Sequence, residues 1–556
     1  MKYNFKMKKN ILLLTLFISF LSCIDKKVVP KTETPFVWEA ANVYFLLTDR
    51  FNNGDTLNDN TLNRNKPTSK LRGFEGGDIR GIIQKIEEGY FTDLGINAIW
   101  MTPIVEQIHG SVNEGSGDTY GFHGYWTKDW TALDPNFGTK DDLSELVEKA
   151  HAKGIRIVLD AVINHTGPVT DIDEVYPNDW VRTIPKCTYD SYNNYINCTL
   201  VENLPDVLTE NTESVALPSI LMEKWKKEGR YEQEMAELDA FFNETGYPRA
   251  PKYYIMKWLS DFIVDFGIDG YRVDTVKHTY EDVWTDFSKV CQSKFDLFKQ
   301  KNPTKVLDNN SFFLVGEVYG YGIKGKKLYD FGDKKVDYFS NGFNSLINFD
   351  FKTDAQKPYE EIFSNYSNIL HSDLKGFSIM NYTSSHDDGE PFDKKREKSI
   401  EAGTKLLLTP GISQIYYGDE TARSLEILGT TGDATLRSFM NWDDIETNLK
   451  TKEILIHYQK LGQFRKNHPS IGAGKHELIT VIPYTFSRIY VKENFKDEVI
   501  IVLDIPKGEK EISVGSIFKN GETVKDAYSG KVTKIKNGKA LLNTDFNIVL
   551  LEKIEP

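Results

Sequence analysis

Polar side chains that could do chemistry stand at or just after the ends of several apolar segments. The clearest case is Gly270–His278, where Arg272 and Asp274 interrupt an otherwise strand-like run. In a strand these two side chains point to the same face, one pleat apart. A charge inside a sheet is costly unless it is paired or used. The pair is therefore either a structural ion pair or a catalytic carboxylate held by an arginine.

The same pattern recurs elsewhere in the chain. The residues found in this way are Asp160, Asn164, His165, Arg272, Asp274, His278, Glu317, His386 and Asp387. No nucleophilic Ser or Cys accompanies them, which leaves two classes of chemistry. A metal-dependent barrel hydrolase would use His and Asp as ligands, although no paired His-x-His stands on an early strand. Glycoside hydrolysis needs one carboxylate as nucleophile or base and one carboxylic acid that protonates the leaving oxygen.

The second class requires two carboxyl groups in different protonation states. Arg272 would hold the neighbouring Asp274 ionised. Glu317 follows an apolar strand, where burial would let it keep a proton. The sequence therefore favours Asp274 as the charged group and Glu317 as the acid.

Eight strand-like segments must bring these residues together. Amphipathic helices that end at Gly95, Gly154 and Gly267 precede apolar runs, which is typical of a parallel sheet covered by helices. The predicted strands lie in Val43–Phe51, Ile99–Ile104, Ile155–His165, Gly270–His278, Phe312–Val318, Ser345–Phe351, Gly376–Asp388 and Ser413–Glu420. Eight strands favour an α/β fold of the (β/α)8 TIM barrel type, in which the carboxyl ends of all strands meet at one face. The candidate residues should converge there.

Two segments do not fit the barrel pattern. Residues 166–250 follow the third strand where a connection of about 2 to 6 residues is usual, so we predict an inserted domain. From residue 475 the sequence pattern changes to that of strands with alternating apolar and polar residues, and Asn520-Gly521 and Asn537-Gly538 are predicted hairpin turns. We therefore predict a C-terminal antiparallel β-sandwich domain over residues 475–556 and a barrel over residues 37–165 and 251–474.

The N-terminus resembles an export signal. Four lysines precede an apolar run that is too short to span a bilayer, so residues 1–22 are predicted to be a signal peptide. Ser22-Cys23 looks like a bacterial lipoprotein processing site, and we expect lipid attachment at Cys23, with ordinary secretion or a retained anchor as alternatives. Residues 23–36 would then be a tether. The protein would be exported and anchored to a bacterial membrane, with the outer membrane favoured, facing the periplasm or the cell surface.

The charge of the chain narrows the class of partner. The formal net charge is −13, and removal of the four lysines of the signal peptide takes it to −17. An acidic protein of this kind argues against a nucleic-acid partner and suits a neutral ligand. We expect a monomer whose only membrane contact is the lipid at Cys23. Cys187 and Cys198 are either bonded, as export would allow, or two free thiols.

Several motifs together resemble the α-amylase family of retaining glycoside hydrolases (glycoside hydrolase family 13). The resemblance extends from about Val43 to Pro469. In the family's order the motifs are Gly95-Ile-Asn-Ala-Ile-Trp-Met-Thr-Pro103, His123-Gly-Tyr-Trp126, Asp160-Ala-Val-Ile-Asn-His165, Leu204-Pro-Asp206, Gly270–His278, Gly316-Glu-Val318 and His386-Asp387.

The resemblance implies roles for individual residues. Asp274 would be the nucleophile, Glu317 the general acid/base, and Asp387 the carboxylate that binds the sugar ring and steadies the transition state. Five further residues would bind substrate: Tyr125 beneath the sugar, His165, Arg272 and His386 in the same subsite, and Lys277 on the leaving-group side. Ser385 departs from the family, which usually has Asn before the His-Asp pair, so local specificity is expected to differ.

The resemblance also implies calcium. Asn164, Asp206 and the backbone carbonyl of His278 match the family's Ca²⁺ site between barrel and inserted domain. Residues 52–60 are rich in side-chain oxygens, which by itself predicts either a turn-rich loop or a calcium loop. The resemblance favours a second Ca²⁺ site there, with the candidate ligands Asn53, Asp55, Asn58, Asp59, Gly76 and Asp78.

The function implied is hydrolysis of α-1,4-glucosidic bonds in starch or maltooligosaccharides, through a covalent glycosyl-enzyme intermediate. Two alternatives share the same residues: a transglycosylase or glucan isomerase, and an inactive binding subunit, because a fold does not determine a function.

Overall fold

Eight parallel strands close into a barrel in the computed structural model, which describes residues 34–554. They are β1 (Asn42–Leu46), β2 (Ala98–Met101), β3 (Arg156–Ala161), β4 (Gly270–Val273), β5 (Phe313–Gly316), β6 (Ser345–Asn348), β7 (Ser378–Tyr382) and β8 (Ile412–Tyr416). β1 pairs with both β2 and β8, so the barrel has no open edge. Every residue of these strands is buried, as expected for apolar strands that helices cover. The predicted barrel is confirmed.

Long helices follow most of the strands. They are α1 (Ile79–Glu87), α2 (Lys140–Ala152), α3 (Ser219–Lys227), α4 (Tyr231–Thr245), α5 (Pro251–Phe266), α6 (Glu281–Lys301), α7 (Tyr359–His371), α8 (Ser399–Leu408) and α9 (Leu449–Asn467). Thr139 and Asp142 form a capping box at the start of α2. Gly95, Gly154 and Gly267 have positive φ angles, which glycine adopts at low cost where a helix must end before the next strand.

The connection between β5 and β6 departs from the repeat. It contains a single 3₁₀ turn, Ile323–Gly325, and a two-stranded hairpin formed by Tyr329–Asp330 and Lys335–Val336, where other connections have a long helix. The segment between β3 and α5 contains a short antiparallel pair, Val181–Arg182 with Asp206–Val207, followed by α3 and α4.

The last part of the chain is antiparallel. Its strands are β9 (Lys475–Thr480), β10 (Tyr484–Lys492), β11 (Phe495–Leu503), β12 (Gly508–Ser513), β13 (Thr523–Asp526), β14 (Val532–Lys534), β15 (Lys539–Thr544) and β16 (Val549–Lys553). One sheet has the order β9-β10-β11-β16-β13-β14, and β12 pairs with β15 in another. Ile500, Val502, Ile512 and Leu542 belong to one buried cluster that joins both sheets. Phe486 and Ile501 belong instead to the large buried cluster that contains the barrel strands and the helices around them.

Both predicted turns form, but the strands on either side of each turn belong to different sheets. Asn537 and Gly538 form a two-residue turn that is closed by reciprocal hydrogen bonds between Lys536 and Lys539. Gly521 also has a positive φ angle, but Asn520-Gly521 leads from β12 in one sheet to β13 in the other. A turn signal defines the local bend and not which strands then pair. The prediction of a hairpin was therefore wrong at Asn520-Gly521, and at Asn537-Gly538 the pairing is limited to the single bridge between Lys536 and Lys539.

The predicted signal peptide and Cys23 lie outside the described residues. Within residues 34–554, no helix combines the length and the apolar character that crossing a membrane requires.

Candidate active site

The predicted catalytic carboxylates lie at the carboxyl ends of their strands. Asp160 is near the end of β3, Asp274 and Glu317 directly follow β4 and β5, and Asp387 stands shortly after β7. Side chains from distant parts of the sequence therefore meet at one face of the barrel. Asp387 has a side chain that is 29% exposed, so this face is open to solvent.

Arg272 is the centre of the site. Its Nη1 donates to Asp274 Oδ1 at 2.7 Å and to Asp160 Oδ1 at 2.9 Å, and its Nη2 lies 2.9 Å from Glu317 Oε1. The sequence paired Arg272 with Asp274, and the structure adds Asp160 and Glu317 to its partners. Because one buried cation faces three acids, these acids cannot all be ionised without a large cost.

Glu317 is the acid that retains its proton. Burial raises the pKa of its carboxyl group well above the ordinary range, the charges of Asp274 and Asp387 add to this, and the Arg272 guanidinium opposes it. Its Oε2 accepts a hydrogen bond from the backbone N–H of Thr275 at 2.9 Å, which holds the side chain toward the end of β4. The geometry matches a proton donor beside a carboxyl group that an arginine holds.

Aromatic rings and imidazoles form one wall of the site. The Tyr125 and His386 rings are stacked with centroids 5.4 Å apart, and the Tyr125 hydroxyl donates to Asp160 Oδ2 at 2.8 Å. His165 Nε2 lies 3.1 Å from the Tyr125 carbonyl. Burial lowers the pKa of His386 well below its usual value, so its ring is neutral and can donate one hydrogen bond to a sugar hydroxyl.

Lys277 lies on the Glu317 side of the site. Its Nζ donates to the Tyr319 carbonyl at 2.9 Å and to the Tyr329 hydroxyl at 3.3 Å. The rings of Tyr195, Tyr319 and Tyr329 surround the ammonium group at 4.9, 5.3 and 5.5 Å. Burial lowers its pKa to about 8.

Three contributors to the site were not among the predicted site residues. Trp100 Nε1 donates to Asp160 Oδ2 at 3.1 Å, and Arg437 Nε donates to the His386 carbonyl at 2.9 Å. Ser385, singled out only as a departure, donates from Oγ to Asp387 Oδ1 at 3.1 Å. Trp100 stands in an apolar strand, and nothing in that pattern indicates which acceptor the indole N–H meets. Arg437 lies far from every motif in the chain.

Asn164, Asp206 and the His278 carbonyl meet, as predicted, beside the inserted segment. The Asn164 amide nitrogen lies 2.8 Å from Asp206 Oδ1 and 3.1 Å from the His278 carbonyl, and its oxygen faces His165 Nδ1 at 3.3 Å. His165 Nε2 faces a carbonyl and must donate, so in a neutral ring Nδ1 is an acceptor and needs a donor. The opposite amide orientation supplies that donor and turns the oxygen toward Asp206 and His278. Three oxygens then converge, which suits a hard cation.

Two neighbours limit what this first location offers a metal. Arg182 Nε lies 2.8 Å from Asp206 Oδ2, so one carboxylate oxygen already has a cationic partner. The His278 ring is engaged elsewhere, because its Nδ1 donates to the Tyr195 carbonyl at 2.9 Å. The group of His278 that remains available to a cation is its backbone carbonyl.

The loop before α1 has stronger signs of a cation site. The side-chain oxygens of Asn53 and Asn58 are buried without a hydrogen-bond partner, which is costly unless something positive meets them. Asn53 Nδ2 donates to Asp59 Oδ1 at 2.9 Å. Gly76 has a φ of 89°, and a Cβ there would lie 2.6 Å from Asp59 Oδ1, so the loop leaves no space for a side chain. These oxygens fit Ca²⁺.

Asp55 and Asp78 have other partners in that loop. Asp78 is the N-cap of α1, where its Oδ1 accepts from Gly81 N at 2.6 Å, and its Oδ2 accepts from Asp55 N at 2.8 Å. Asp55 Oδ1 accepts from the N–H of Leu57 at 3.0 Å. Within residues 34–554, no group of three or more His, Cys, Asp or Glu side chains is arranged to hold a metal, so amide and backbone oxygens would have to supply ligands at both locations.

Comparison with known proteins agrees with this geometry. Residues 45–443 match the family model described as the alpha amylase catalytic domain. The chain is 34% identical over 529 residues to a periplasmic alpha-amylase of Escherichia coli, covering 85% of this chain and 73% of that protein. It is 26% identical to a cyclomaltodextrin glucanotransferase of Geobacillus stearothermophilus, covering 89% of this chain and 66% of that protein.

Solved structures show the same fold. A crystal structure of an Anoxybacillus alpha-amylase superposes with a TM-score of 0.64 at 24% identity, covering 94% of this chain and all of that one. The family model alone spans well over half of the chain. The chain belongs to the alpha-amylase family of glycoside hydrolases.

Proposed function

We propose that the protein is an α-amylase that hydrolyses α-1,4-glucosidic bonds in starch or maltooligosaccharides with retention of anomeric configuration. The observation that carries the proposal is the sharing of one guanidinium by Asp274 and Glu317 at the open face of the barrel. Asp274 is paired with the guanidinium and Glu317 keeps a proton because burial raises its pKa, which is the division of roles that glycoside hydrolysis needs.

The reaction proceeds in two balanced steps. In the first, an Asp274 oxygen attacks the anomeric carbon, the glycosidic C–O bond breaks, and the Glu317 proton passes to the leaving oxygen. In the second, Glu317 takes a proton from water, whose oxygen attacks the same carbon and releases Asp274. Retention requires the two carboxyl groups to be about 5 to 5.5 Å apart. Contact with the two terminal nitrogens of Arg272 keeps them close.

The remaining residues hold the substrate. Asp387, His165 and His386 would bind hydroxyl groups of the sugar on the nonreducing side of the bond, and Tyr125 would stack beneath that sugar. Lys277 would contact the sugar of the leaving group, because it lies on the Glu317 side. Arg272 keeps Asp274 aimed at the anomeric carbon.

Product stereochemistry tests the proposal. Proton NMR of the first products from maltopentaose should show the α-anomer appearing before mutarotation forms the β-anomer, because two inversions at one carbon give retention. A first-formed β-anomer would overturn the mechanism. Longer oligosaccharides as main products would favour the transglycosylase, and no turnover would favour the binding subunit.

Calcium is proposed at two locations. The first comprises Asn164, Asp206 and the His278 carbonyl, and the second comprises the loop with Asn53, Asn58, Asp59 and the Gly76 carbonyl. Asp55 and Asp78 are also proposed to belong to the second site. Their carboxylates stabilise the loop through hydrogen bonds to its backbone. The ion would be structural, joining the inserted segment to β4 at the first location and satisfying buried oxygens at the second.

Chelation is expected to lower the thermal midpoint. Removal of an ion that binds only the folded protein costs about 2.7 kcal/mol at a concentration one hundred times its Kd. Differential scanning calorimetry with EDTA should show a decrease of several degrees that added Ca²⁺ reverses and Mg²⁺ does not. Asp59→Asn should reduce this calcium-dependent shift. An unchanged midpoint in EDTA would remove both calcium assignments.

Export is supported by the relative from Escherichia coli, which is named a periplasmic alpha-amylase. Lipid attachment at Cys23 and outer-membrane location remain proposals from the sequence, as do a monomeric state and the domain boundaries at residues 165, 250 and 474. Metabolic labelling with a fatty acid should mark the wild type and not a Cys23→Ser variant.

A further inference from the structure

We propose that the loop closed by Cys187 and Cys198 positions the leaving-group side of the active site, with Tyr195 as the positioning residue. The inference rests on the proposed function, because it assigns a task in glucan binding to a loop outside every catalytic motif. It concerns how tightly the sugars beyond the cleaved bond are held.

The loop is tied at its base. Cys187 and Cys198 form a disulfide with their Cα atoms 4.9 Å apart, and both residues are buried. Beside this bond, Cys187 N donates to the Thr199 carbonyl at 2.9 Å, and Thr199 N donates to the Pro185 carbonyl at 2.8 Å. A covalent bond and these two hydrogen bonds hold the two ends together. The residues between them are thus restricted to few conformations.

Tyr195 joins the loop to the turn after Asp274. Its carbonyl accepts a hydrogen bond from His278 Nδ1 at 2.9 Å, and its ring stacks on the His278 ring at 5.9 Å. The same ring lies 4.9 Å from Lys277 Nζ, an interaction that favours the ammonium group in that place. Tyr195 therefore contacts two successive residues of the turn that follows the proposed nucleophile.

Further contacts attach the loop to the segments that follow β4 and β5. Asn197 Nδ2 donates to the Tyr280 hydroxyl at 2.9 Å, and the Tyr192 hydroxyl donates to Glu281. Tyr192 N donates to Asp333 Oδ1 at 2.8 Å, within the hairpin that replaces a long helix after β5. The loop thus bridges the chain that follows Asp274 and the chain that follows Glu317.

The consequence concerns Lys277. Its ammonium group donates to the Tyr319 carbonyl, two residues after Glu317, and to the Tyr329 hydroxyl, and of the three rings around it that of Tyr195 lies nearest. Without that ring the long lysine side chain would regain rotamers, and a sugar on the leaving-group side would have to order it on binding. We therefore expect weaker binding of leaving-group sugars and unchanged chemistry at the anomeric carbon.

Two substrates separate these effects. Maltoheptaose occupies both sides of the cleaved bond, whereas α-maltosyl fluoride has no sugar on the leaving-group side. Tyr195→Ala should raise KM for maltoheptaose about three- to tenfold with kcat nearly unchanged, and kcat/KM for the fluoride should stay within about twofold. Cys187→Ser/Cys198→Ser should act in the same direction. Tyr195→Phe is the matched control, because it keeps the ring and the carbonyl, and it should behave as wild type.

Each other outcome overturns the inference. If Tyr195→Ala lowers kcat/KM for both substrates equally, the loop only supports the fold. If neither substrate is affected in either variant, the loop has no part in binding. Thermal midpoints establish that each variant is folded at the assay temperature. If the wild-type protein hydrolyses neither substrate, the proposed function itself fails. Failure of the inference alone is distinguishable, because the wild type is then active and only the response of the variants differs from that expected.

Discussion

Asp274→Asn is expected to lower kcat for maltooligosaccharides by about 10⁴-fold or more, the largest effect of any single substitution in this protein. The amide has the same shape as the carboxylate but cannot form the covalent glycosyl ester. Because the amide fills the same space as the carboxylate, the packing around position 274 is kept and the variant should still bind substrate. Steady-state kinetics on maltoheptaose would measure kcat, and isothermal titration calorimetry would measure the Kd for the same substrate separately.

Asp160→Asn is the matched control for that variant. Asp160 contacts the same Arg272 nitrogen, at 2.9 Å, and is buried, so its amide variant also replaces a carboxyl partner of the same guanidinium. It leaves the nucleophile in place. Its effect on kcat should be at least about tenfold smaller than that of Asp274→Asn. Equal losses in both variants would mean that Asp274 acts only as a partner of Arg272, and the structural ion pair would be the correct interpretation.

Glu317→Gln is expected to lower kcat/KM for maltooligosaccharides by about 10²- to 10⁴-fold, because general acid catalysis is lost. The loss should be much smaller with α-maltosyl fluoride in the first step, since fluoride leaves with little need of a proton. Comparison of the two substrates therefore identifies Glu317 as the proton donor. Equal losses with both substrates would contradict that role.

The pH profile gives a second test of Glu317. Burial raises the pKa of its carboxyl group, so the protonated, active form persists above the usual range for Glu and is lost as the pH rises through the raised pKa. The wild-type kcat/KM should therefore have a basic limb that Glu317→Gln lacks. A persistent limb in Glu317→Gln would assign the titration to another group.

The same shift affects stability with a defined sign. A carboxyl group whose pKa is higher in the folded state binds more protons there than in the unfolded chain, so stability falls as the pH rises through that interval. Gln at position 317 has no such dependence. The difference in thermal midpoint between Glu317→Gln and wild type should therefore become more positive with increasing pH, which calorimetry in a buffer series would show.

The sequence by itself determined the features that depend on local patterns. The eight apolar strands, the glycines that end helices before them and the turn at Asn537-Gly538 were all predicted and confirmed. Strand ends in a parallel barrel must share one face, so the convergence of Asp274, Glu317 and Asp387 also followed from the sequence. These predictions hold because hydrophobic period and backbone preference act within a few residues of the chain.

Only the tertiary structure decided which partners those residues meet. Arg272 contacts three carboxyl groups. Tyr195 packs on Lys277, which is more than eighty residues away in the sequence, and Cys187 forms a disulfide with Cys198. Asn520-Gly521 and Asn537-Gly538 each lead from one sheet to the other, and a hairpin stands after β5 where other connections have a long helix. Such contacts depend on how whole elements pack, which a local pattern does not encode. The chemistry of the site could therefore be predicted from residue types, whereas its electrostatic balance and the wall on the leaving-group side required the fold.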